Sequence, residues 1–248
     1  MRWKLKIRRI HRYLSIFVGI QILFWTVSGA YFSLVHIKTV RGEDRKNDQI
    51  PRAFALGPEI ISPQGLITQY GEDGLTEVRL LPQEQGAAYA LFFGKRFPRL
   101  LVDATTGTEL PQKSVEEIAV AARSDYGIAD MTFQTPVLLQ EAPPEYRGPL
   151  PVFQVAVEDG RATRLYLSPV TGDVISRRNR YWRIFDFLWM LHIMDFDERD
   201  NFNNNLLRFV SLLSIGAVLS GYALWATSRK WGKKKVRSKK TEKNTESL

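Results

Sequence analysis

The chain has 248 residues, 35 Lys or Arg against 26 Asp or Glu, a formal net charge of +9 and no cysteine. Residues 1–12 carry six basic and no acidic side chains, and residues 227–248 carry nine basic and two acidic ones, so the stretch between them is net acidic. The basic residues lie in two tails beside apolar runs and not among aromatic residues on a folded face, which argues against nucleic acid as a partner. The absence of cysteine excludes disulfides, thiolate metal sites, covalently attached c-type haem and cysteine nucleophiles.

Residues 13–37 are 25 uncharged residues in succession, enough for about 37 Å of helix. A hydrocarbon core about 30 Å thick needs about 20 such residues, so this run predicts the first transmembrane helix. A cleavable signal peptide is the alternative, since Ser28 and Ala30 are small, but the apolar region of such a signal has only about 7–15 residues. We expect an uncleaved anchor behind a basic N-terminus, residues 1–12.

Residues 209–228 are a second uncharged run, of 20 residues, followed by the lysine-rich tail, residues 229–248. A buried core helix is the alternative, but a basic flank directly after the run is typical of a stop-transfer segment. Basic residues beside a span favour the cytoplasmic side. We therefore expect both termini in the cytoplasm and residues 38–208 outside it.

Small residues recur in both predicted spans, with Ser28-Gly29 in the first and Ser220-Gly221 in the second. Small faces allow close approach of helix backbones in lipid. We expect the two helices to associate, either within one chain or across a homodimer.

Residues 38–61 are polar and predict an exposed linker, and residues 62–112 then predict a small α+β unit. Ser62 is placed as the N-cap of a helix that ends at Gly71. The strand-like runs that follow are 76–81, 87–93 and 97–102.

The same order recurs in residues 113–180. Ser114 and Glu117 form a capping box, and Asp159-Gly160 predicts a hairpin. The strand-like runs here are 131–139, 150–158 and 161–167. A proline-rich insertion, residues 141–149, lengthens this copy, and each copy closes on a Thr-Gly turn, the two turns 65 residues apart.

A helix, antiparallel strands and a Thr-Gly turn, in two copies between membrane helices, resemble the PepSY domain. The string RRIHRYLSIFVGIQILFWTVSGAYFSL is similar to the opening of the PepSY-associated transmembrane family. The string FDFLWMLHIMDFDERDNFNNNLLRFVSLLSIGAVLSGYALW resembles the family's Leu-His segment and the span that follows it. The resemblance implies an α+β fold class, with two transmembrane helices flanking an extracytoplasmic domain of two PepSY-like repeats, in the bacterial inner membrane.

The family that the chain resembles includes haem-containing ferric and siderophore reductases and proteins fused to flavin-dependent reductase domains. This chain lacks such a domain, and it lacks the Ser/Thr-Gly-Ala-Thr site at which some electron-transfer relatives carry covalent flavin. The resemblance therefore implies an accessory of electron transfer and not an autonomous enzyme. The expected partners are the lipid bilayer, a separate flavoprotein reductase and siderophore-uptake components.

The chain has three histidines, and each is a candidate cofactor-binding residue. His11 and His36 lie at opposite ends of the first predicted span, about 37 Å apart, so they cannot share one iron. His192 lies in residues 181–208, a predicted interfacial helix and loop, on the same side as His36. Two imidazoles in an apolar, aromatic pocket suit a b-type haem, so we predict His36 and His192 as its iron ligands.

The sequence leaves three alternatives open. In the first, both histidines are structural: His36 is an interfacial side chain hydrogen-bonded to water or a headgroup, and His192 caps a structural contact. A haem near His11 requires a second copy of the chain or another subunit. The acidic run 195–200 is either a solvated loop or a site that attracts cations.

The function predicted from the sequence is haem-mediated electron transfer that serves ferric or siderophore reduction in iron acquisition. The alternative function is a membrane-anchored, non-enzymatic module that binds or regulates a peptidase or another extracytoplasmic protein. The sequence contains no G-x-S-x-G, H-E-x-x-H or P-loop motif that would indicate a hydrolase or a nucleotide-dependent enzyme.

Overall fold

The computed structural model describes residues 2–47, 60–83, 86–94 and 97–245. The chain divides into two compact units. Met1–Val35 and Ile184–Leu248 form the first, here called the membrane unit, and His36–Arg183 form the second, the outer unit. The fold is α+β, with antiparallel sheets confined to the outer unit.

The membrane unit is built on two long helices, α1 (Arg2–Leu34) and α6 (Asn205–Thr245). The segments Leu5–Leu34 and Asn205–Ala226 are long and apolar enough to cross a bilayer. Their large side chains point outward, as Phe17 and Leu212 show with exposed fractions of 62% and 69%. A core helix would bury such residues, so these faces suit lipid and not water.

The helices α1 and α6 pack against each other within one chain. Val18 and Ala217 are buried in the membrane unit, with exposed fractions of 1% and 5%. Gly221 allows a close approach, because a Cβ there would lie 3.2 Å from Cε1 of His11. Added Cβ atoms at Gly19 and Gly29 would meet nothing within 4 Å, so those two glycines make no close contact in the described residues.

The outer unit contains three complete helices, one short 3₁₀ turn at Glu43–Arg45 and seven strands among its described residues, and a further helix begins in it. The complete helices are α2 (Ile37–Arg41), α3 (Pro63–Tyr70) and α4 (Val115–Asp125). The strands are β1 (Glu77–Gln83), β2 (Gly86–Phe92), β3 (Leu100–Asp103), β4 (Val137–Leu139), β5 (Val152–Val157), β6 (Thr163–Leu167) and β7 (Val174–Arg178). The helix α5 (Arg180–Ile193) begins in the outer unit and ends in the membrane unit.

The first module of the outer unit packs α3 on the sheet β1-β2-β3, in which both strand pairs are antiparallel. Ser62 caps α3 through its side chain, with Pro63 in the first turn and Gly71 at the C-cap, as predicted. Leu66 from the helix and Leu91 and Val102 from the strands are buried in one apolar cluster.

The second module packs α4 on the antiparallel sheet β4-β5-β6-β7. The predicted capping box is present, since Ser114 and Glu117 bond each other's backbone N–H. Ile118 of α4 is buried against Val155 and Leu165 of the sheet.

The strands of the second module differ from the prediction at two places. The run predicted over 131–139 forms a strand only at β4, although Phe133 makes an isolated bridge to Val157. The strand β7 was not predicted, because its residues are all half-buried and end in two arginines, which gives no alternation of apolar and polar positions.

The two Thr-Gly turns have the same hydrogen-bond geometry. The carboxylate of Asp103 accepts the N–H groups two and three residues later, both at 2.8 Å, and the hydroxyl of Ser168 accepts the corresponding pair at 3.2 and 3.1 Å. Gly107 and Gly172 follow with φ of +74° and +76°, a conformation that glycine adopts without strain. The modules thus share the order of elements and the closing turn.

The segment predicted as an exposed linker is folded where the structure describes it, in residues 38–47. Val40 is buried, the N–H of Asn47 donates to the carbonyl of Asp125 at 2.8 Å, and Gly127 donates to Arg45 at 2.7 Å. These backbone bonds to the end of α4 are not visible in a polar sequence pattern. Residues 48–59 of the predicted linker lie outside the described residues.

The proline-rich insertion packs on the second sheet through Glu145. The Glu145 side chain is 10% exposed, pairs with Arg164 at 2.9 Å and Arg183 at 2.6 Å, and accepts the Tyr166 hydroxyl at 2.8 Å. Tyr146 stacks on Tyr166 with a centroid distance of 4.6 Å. The insertion is therefore part of the folded module.

Candidate functional site

Helix α5 brings His192 against the first membrane helix, where Nδ1 of His192 lies 2.6 Å from Oγ of Ser28. Ser28 is fully buried, and its hydroxyl donates to the carbonyl of Phe24 at 2.7 Å, as serines in helices commonly do. With the single hydroxyl hydrogen assigned to this carbonyl, Ser28 accepts the second bond and His192 donates it from Nδ1. This assignment leaves a lone pair on Nε2 of His192.

Aromatic rings surround the His192 imidazole within the membrane unit. Trp189 is parallel to it at 6.2 Å between centroids, Phe32 lies at 5.6 Å and Trp25 at 6.3 Å. Burial in this pocket lowers the pKa of His192. The pocket therefore favours the neutral imidazole.

Side chains from outside the helix hold the C-terminal end of α5. Gln21 donates to the carbonyl of Leu191 at 3.0 Å, Trp25 to that of His192 at 2.8 Å and Asn204 to that of Ile193 at 2.8 Å. The last carbonyls of a helix have no partner within the helix, so these bonds satisfy them and fix the helix end. The position of His192 is thus set by α1.

Gln21 was missed in the sequence. The signal in the sequence was a polar amide in the middle of an apolar run, because polar residues inside a membrane span commonly have a specific structural or functional role. Ser28 was recognised only as a small residue, at a possible cleavage site and in helix packing.

The acidic run 195–200 folds into a loop organised by Asp195, whose carboxylate accepts backbone N–H groups from Asp200 at 3.1 Å and Asn201 at 3.0 Å. These bonds hold the pKa of Asp195 below its usual value. Arg199 pairs with Asp186 of α5. Among the described residues no group of three or more His, Asp or Glu side chains is arranged to hold a metal ion.

His11 forms a second pair of the same kind, with Nδ1 2.7 Å from Oγ of Ser220. Ser220 donates to the carbonyl of Ala217 at 2.8 Å, so by the same assignment His11 donates from Nδ1 and keeps a lone pair on Nε2. Seventeen residues of α1 separate His11 from Ser28, which is about 25 Å of helix. The two histidine–serine pairs are therefore separate sites.

His36 is bonded differently, since it is the N-cap of α2 and its Nδ1 accepts the N–H of Lys38 at 3.1 Å. The neutral imidazole then carries its hydrogen on Nε2, and neither nitrogen has a free lone pair. His36 belongs to the outer unit, whereas His11 and His192 belong to the membrane unit.

The imidazole of His192 could hold the iron of a b-type haem. Ligation requires a neutral imidazole with a free nitrogen, its other N–H usually held by a hydrogen bond, in apolar surroundings. Within the part of the chain that the structure describes, His192 meets these conditions. His36 meets them only if its bond to Lys38 breaks.

No curated protein and no solved structure matches the chain. A family model described as the PepSY-associated TM region matches residues 8–246, which include both apolar helices and the outer unit. The chain therefore belongs to the PepSY-associated transmembrane family, as the sequence resemblance indicated.

Proposed function

We propose that this membrane protein is an accessory of transmembrane electron transfer, in which His192 would hold the iron of a b-type haem. The observation that supports it most is the Ser28–His192 pair, because it presents a neutral imidazole with its Nε2 lone pair inside an aromatic pocket. A bound haem iron would supply the capacity to accept and release one electron.

The protein's own residues have defined tasks in this proposal. Ser28 fixes the tautomer and direction of the imidazole, while Gln21 and Trp25 hold the helix end that carries it. Trp189 and Phe32 keep water from the imidazole face. Where water is excluded, the effective dielectric constant is low, so electrostatic interactions with the charge of a bound iron would be stronger.

His36 is proposed as the second ligand, as the sequence predicts. Its bond to Lys38 means that ligation must replace the α2 cap. The proposal therefore includes a local rearrangement at Ile37–Arg41 when haem binds. His11 is not a ligand of the same iron, because the His11 and Ser28 levels of α1 are about 25 Å apart.

We further propose that the two modules of the outer unit are PepSY repeats on the extracytoplasmic face of a bacterial inner membrane. The shared element order and the matching turns at Asp103 and Ser168 support the repeat, and the basic tails support the orientation. The proposed electron donor is a separate flavoprotein, and the proposed process is reduction of ferric or siderophore-bound iron.

Visible spectroscopy of the full-length protein, produced with ample haem and purified in detergent, tests the proposal. We expect a Soret band that is lost in His192→Ala and weakened in His36→Ala. His11→Ala is the matched control, because it removes an imidazole with the same serine bond at the distant site. A colourless wild-type protein, or a band lost only in His11→Ala, would contradict the assignment to His192.

The alternative, a binding module without cofactor, is favoured by the edge strand β4. Its residues Val137 and Leu138 are 54% and 40% exposed, and an apolar edge strand can accept an extended segment of another protein. A colourless protein that retains a partner through this edge would establish that function instead.

A further inference from the structure

A groove of about 440 Å³ runs between α1 and α6 in the membrane unit. The groove is apolar apart from one end, where His11 and Ser15 lie. Its lining includes His11, Ser15 and Ile22 from α1 and Val218, Tyr222 and Trp225 from α6.

The length of this groove matches one leaflet of a bilayer. Eleven residues of α1 separate His11 from Ile22, which is about 16 Å of helix, and half of a hydrocarbon core is about 15 Å. Tyr222 and Trp225 are 67% and 55% exposed, so the groove opens sideways towards the surrounding lipid. An extended acyl chain fits this length and this apolar lining.

The positive charge near the polar end of the groove favours an anionic headgroup. Arg8 is exposed and lies three residues before His11, one turn further along the same helix face. Residues 1–12 contain no acidic side chain that would neutralise it. Arginine binds phosphate through two parallel hydrogen bonds, and basic pockets between membrane helices bind anionic headgroups.

We infer that this groove, here called the lipid groove, holds one acyl chain of an anionic phospholipid whose phosphate lies against Arg8. Ser220 and Gly221 hold the His11 ring close to α6 at this end of the groove. The inference depends on the membrane helices and not on the proposed haem.

Native mass spectrometry of the full-length protein in detergent tests this inference. Phosphatidylglycerol and phosphatidylcholine with the same acyl chains are added separately. We expect one phosphatidylglycerol per chain to be retained, and at least tenfold less phosphatidylcholine.

Two variant pairs separate the acyl chain from the headgroup. Val218→Trp fills the groove and should abolish retention, whereas Leu219→Trp, which adds the same ring at an exposed position outside the groove, should not. Arg8→Gln should weaken phosphatidylglycerol retention about fivefold, from about 1 kcal/mol per basic residue near a membrane surface. Arg9→Gln is the control, because Arg9 lies on another face of α1.

Equal retention of both lipids would overturn the headgroup assignment. Equal loss in Val218→Trp and Leu219→Trp would overturn the groove as the site. A lipid-free dimer that Val218→Trp dissociates would show that a second copy of the chain fills the groove, and a Soret band lost in His11→Ala would show that haem does. Each of these results excludes the lipid.

Discussion

The hydroxyl of Tyr126 donates a 2.6 Å hydrogen bond to the carboxylate of Asp159, which joins the C-terminal end of α4 to the β5–β6 hairpin. The same carboxylate accepts the Thr163 hydroxyl at 2.5 Å and the N–H of Arg161 at 2.8 Å. Burial, followed by the bond to Asp159, raises the pKa of Tyr126 to about 12. One carboxylate thus organises both the turn and the helix contact.

Replacing Tyr126 by phenylalanine should lower the free energy of opening of the second module by about 1–2 kcal/mol, because it leaves a half-buried carboxylate oxygen with one partner fewer. Hydrogen exchange of the β5 and β6 amides in the full-length protein measures this change. Tyr70→Phe is the control, since Tyr70 makes an equally short bond to Glu109 at an exposed position. Equal effects of the two variants would contradict the importance of burial.

Replacing Glu145 by glutamine should destabilise the second module by about 1–2 kcal/mol, because Arg164 and Arg183 lose their counter-charge but remain partly exposed to water. Glu141→Gln, in the same insertion but exposed, should change stability by less than about 0.5 kcal/mol. Urea unfolding in detergent, followed by tyrosine circular dichroism, compares the two variants. If both variants match the wild type, the insertion is not fixed by Glu145.

The outer unit should lose stability in acid. Burial acts to raise the pKa of Glu145, but the bonds from Arg183, Arg164 and Tyr166 outweigh it and hold the pKa below its usual value. In the unfolded chain the Glu145 carboxylate binds a proton near its ordinary pKa of about 4, whereas in the folded protein it binds one only at a lower pH. Protonation therefore favours the unfolded state.

The contribution of Glu145 should be complete above about pH 5 and decline as the pH falls below about 4. Unfolding midpoints at pH 7, 5, 4 and 3 measure it. The Glu145→Gln variant should show a shallower decline than the wild type over this range. Parallel pH curves would show that Glu145 does not contribute to acid sensitivity.

Nitrogen chemical shifts of labelled histidines should show His192 with its hydrogen on Nδ1 and His36 with its hydrogen on Nε2, because Ser28 accepts from the first and Lys38 donates to the second. Ser28→Ala should convert His192 to a tautomer mixture and leave His36 unchanged. This result needs no cofactor, so it tests the site separately from haem. An Nε2–H signal for wild-type His192 would refute the assignment.

The absence of cysteine makes the membrane orientation directly testable. Glu72→Cys and Glu158→Cys, both exposed in the outer unit, should react with an impermeant maleimide added to intact spheroplasts. Arg9→Cys should react only after the membrane is opened. Reversed labelling would place the outer unit in the cytoplasm and remove the basis for the proposed iron chemistry.

Features that depend on residues close together in the sequence could be predicted from it. The caps at Ser62 and Ser114 were predicted at the correct residues, because the bonding side chain and the backbone group lie within three residues of each other. The strand β7 was missed because its pairing partner β6, and not its own pattern, makes it a strand.

The candidate site was predicted only in part. His192 was identified as a candidate, but its bond to Ser28 joins residues 164 positions apart, and no local pattern reports such a contact. The same holds for Gln21 and Leu191, whose contact depends on how α5 lies along α1.

The two closing turns are alike in shape, yet only one of them carries an ionisable group. The bonds from the Thr106 and Thr105 amides keep the pKa of Asp103 below its usual value, whereas the hydroxyl of Ser168 stays uncharged at every physiological pH. Acidification therefore removes the charge of Asp103 from the first turn, whereas Ser168 has no charge to lose in the second. If one ancestral segment gave rise to both, their divergence has left two closing turns that respond unequally to an acidic environment.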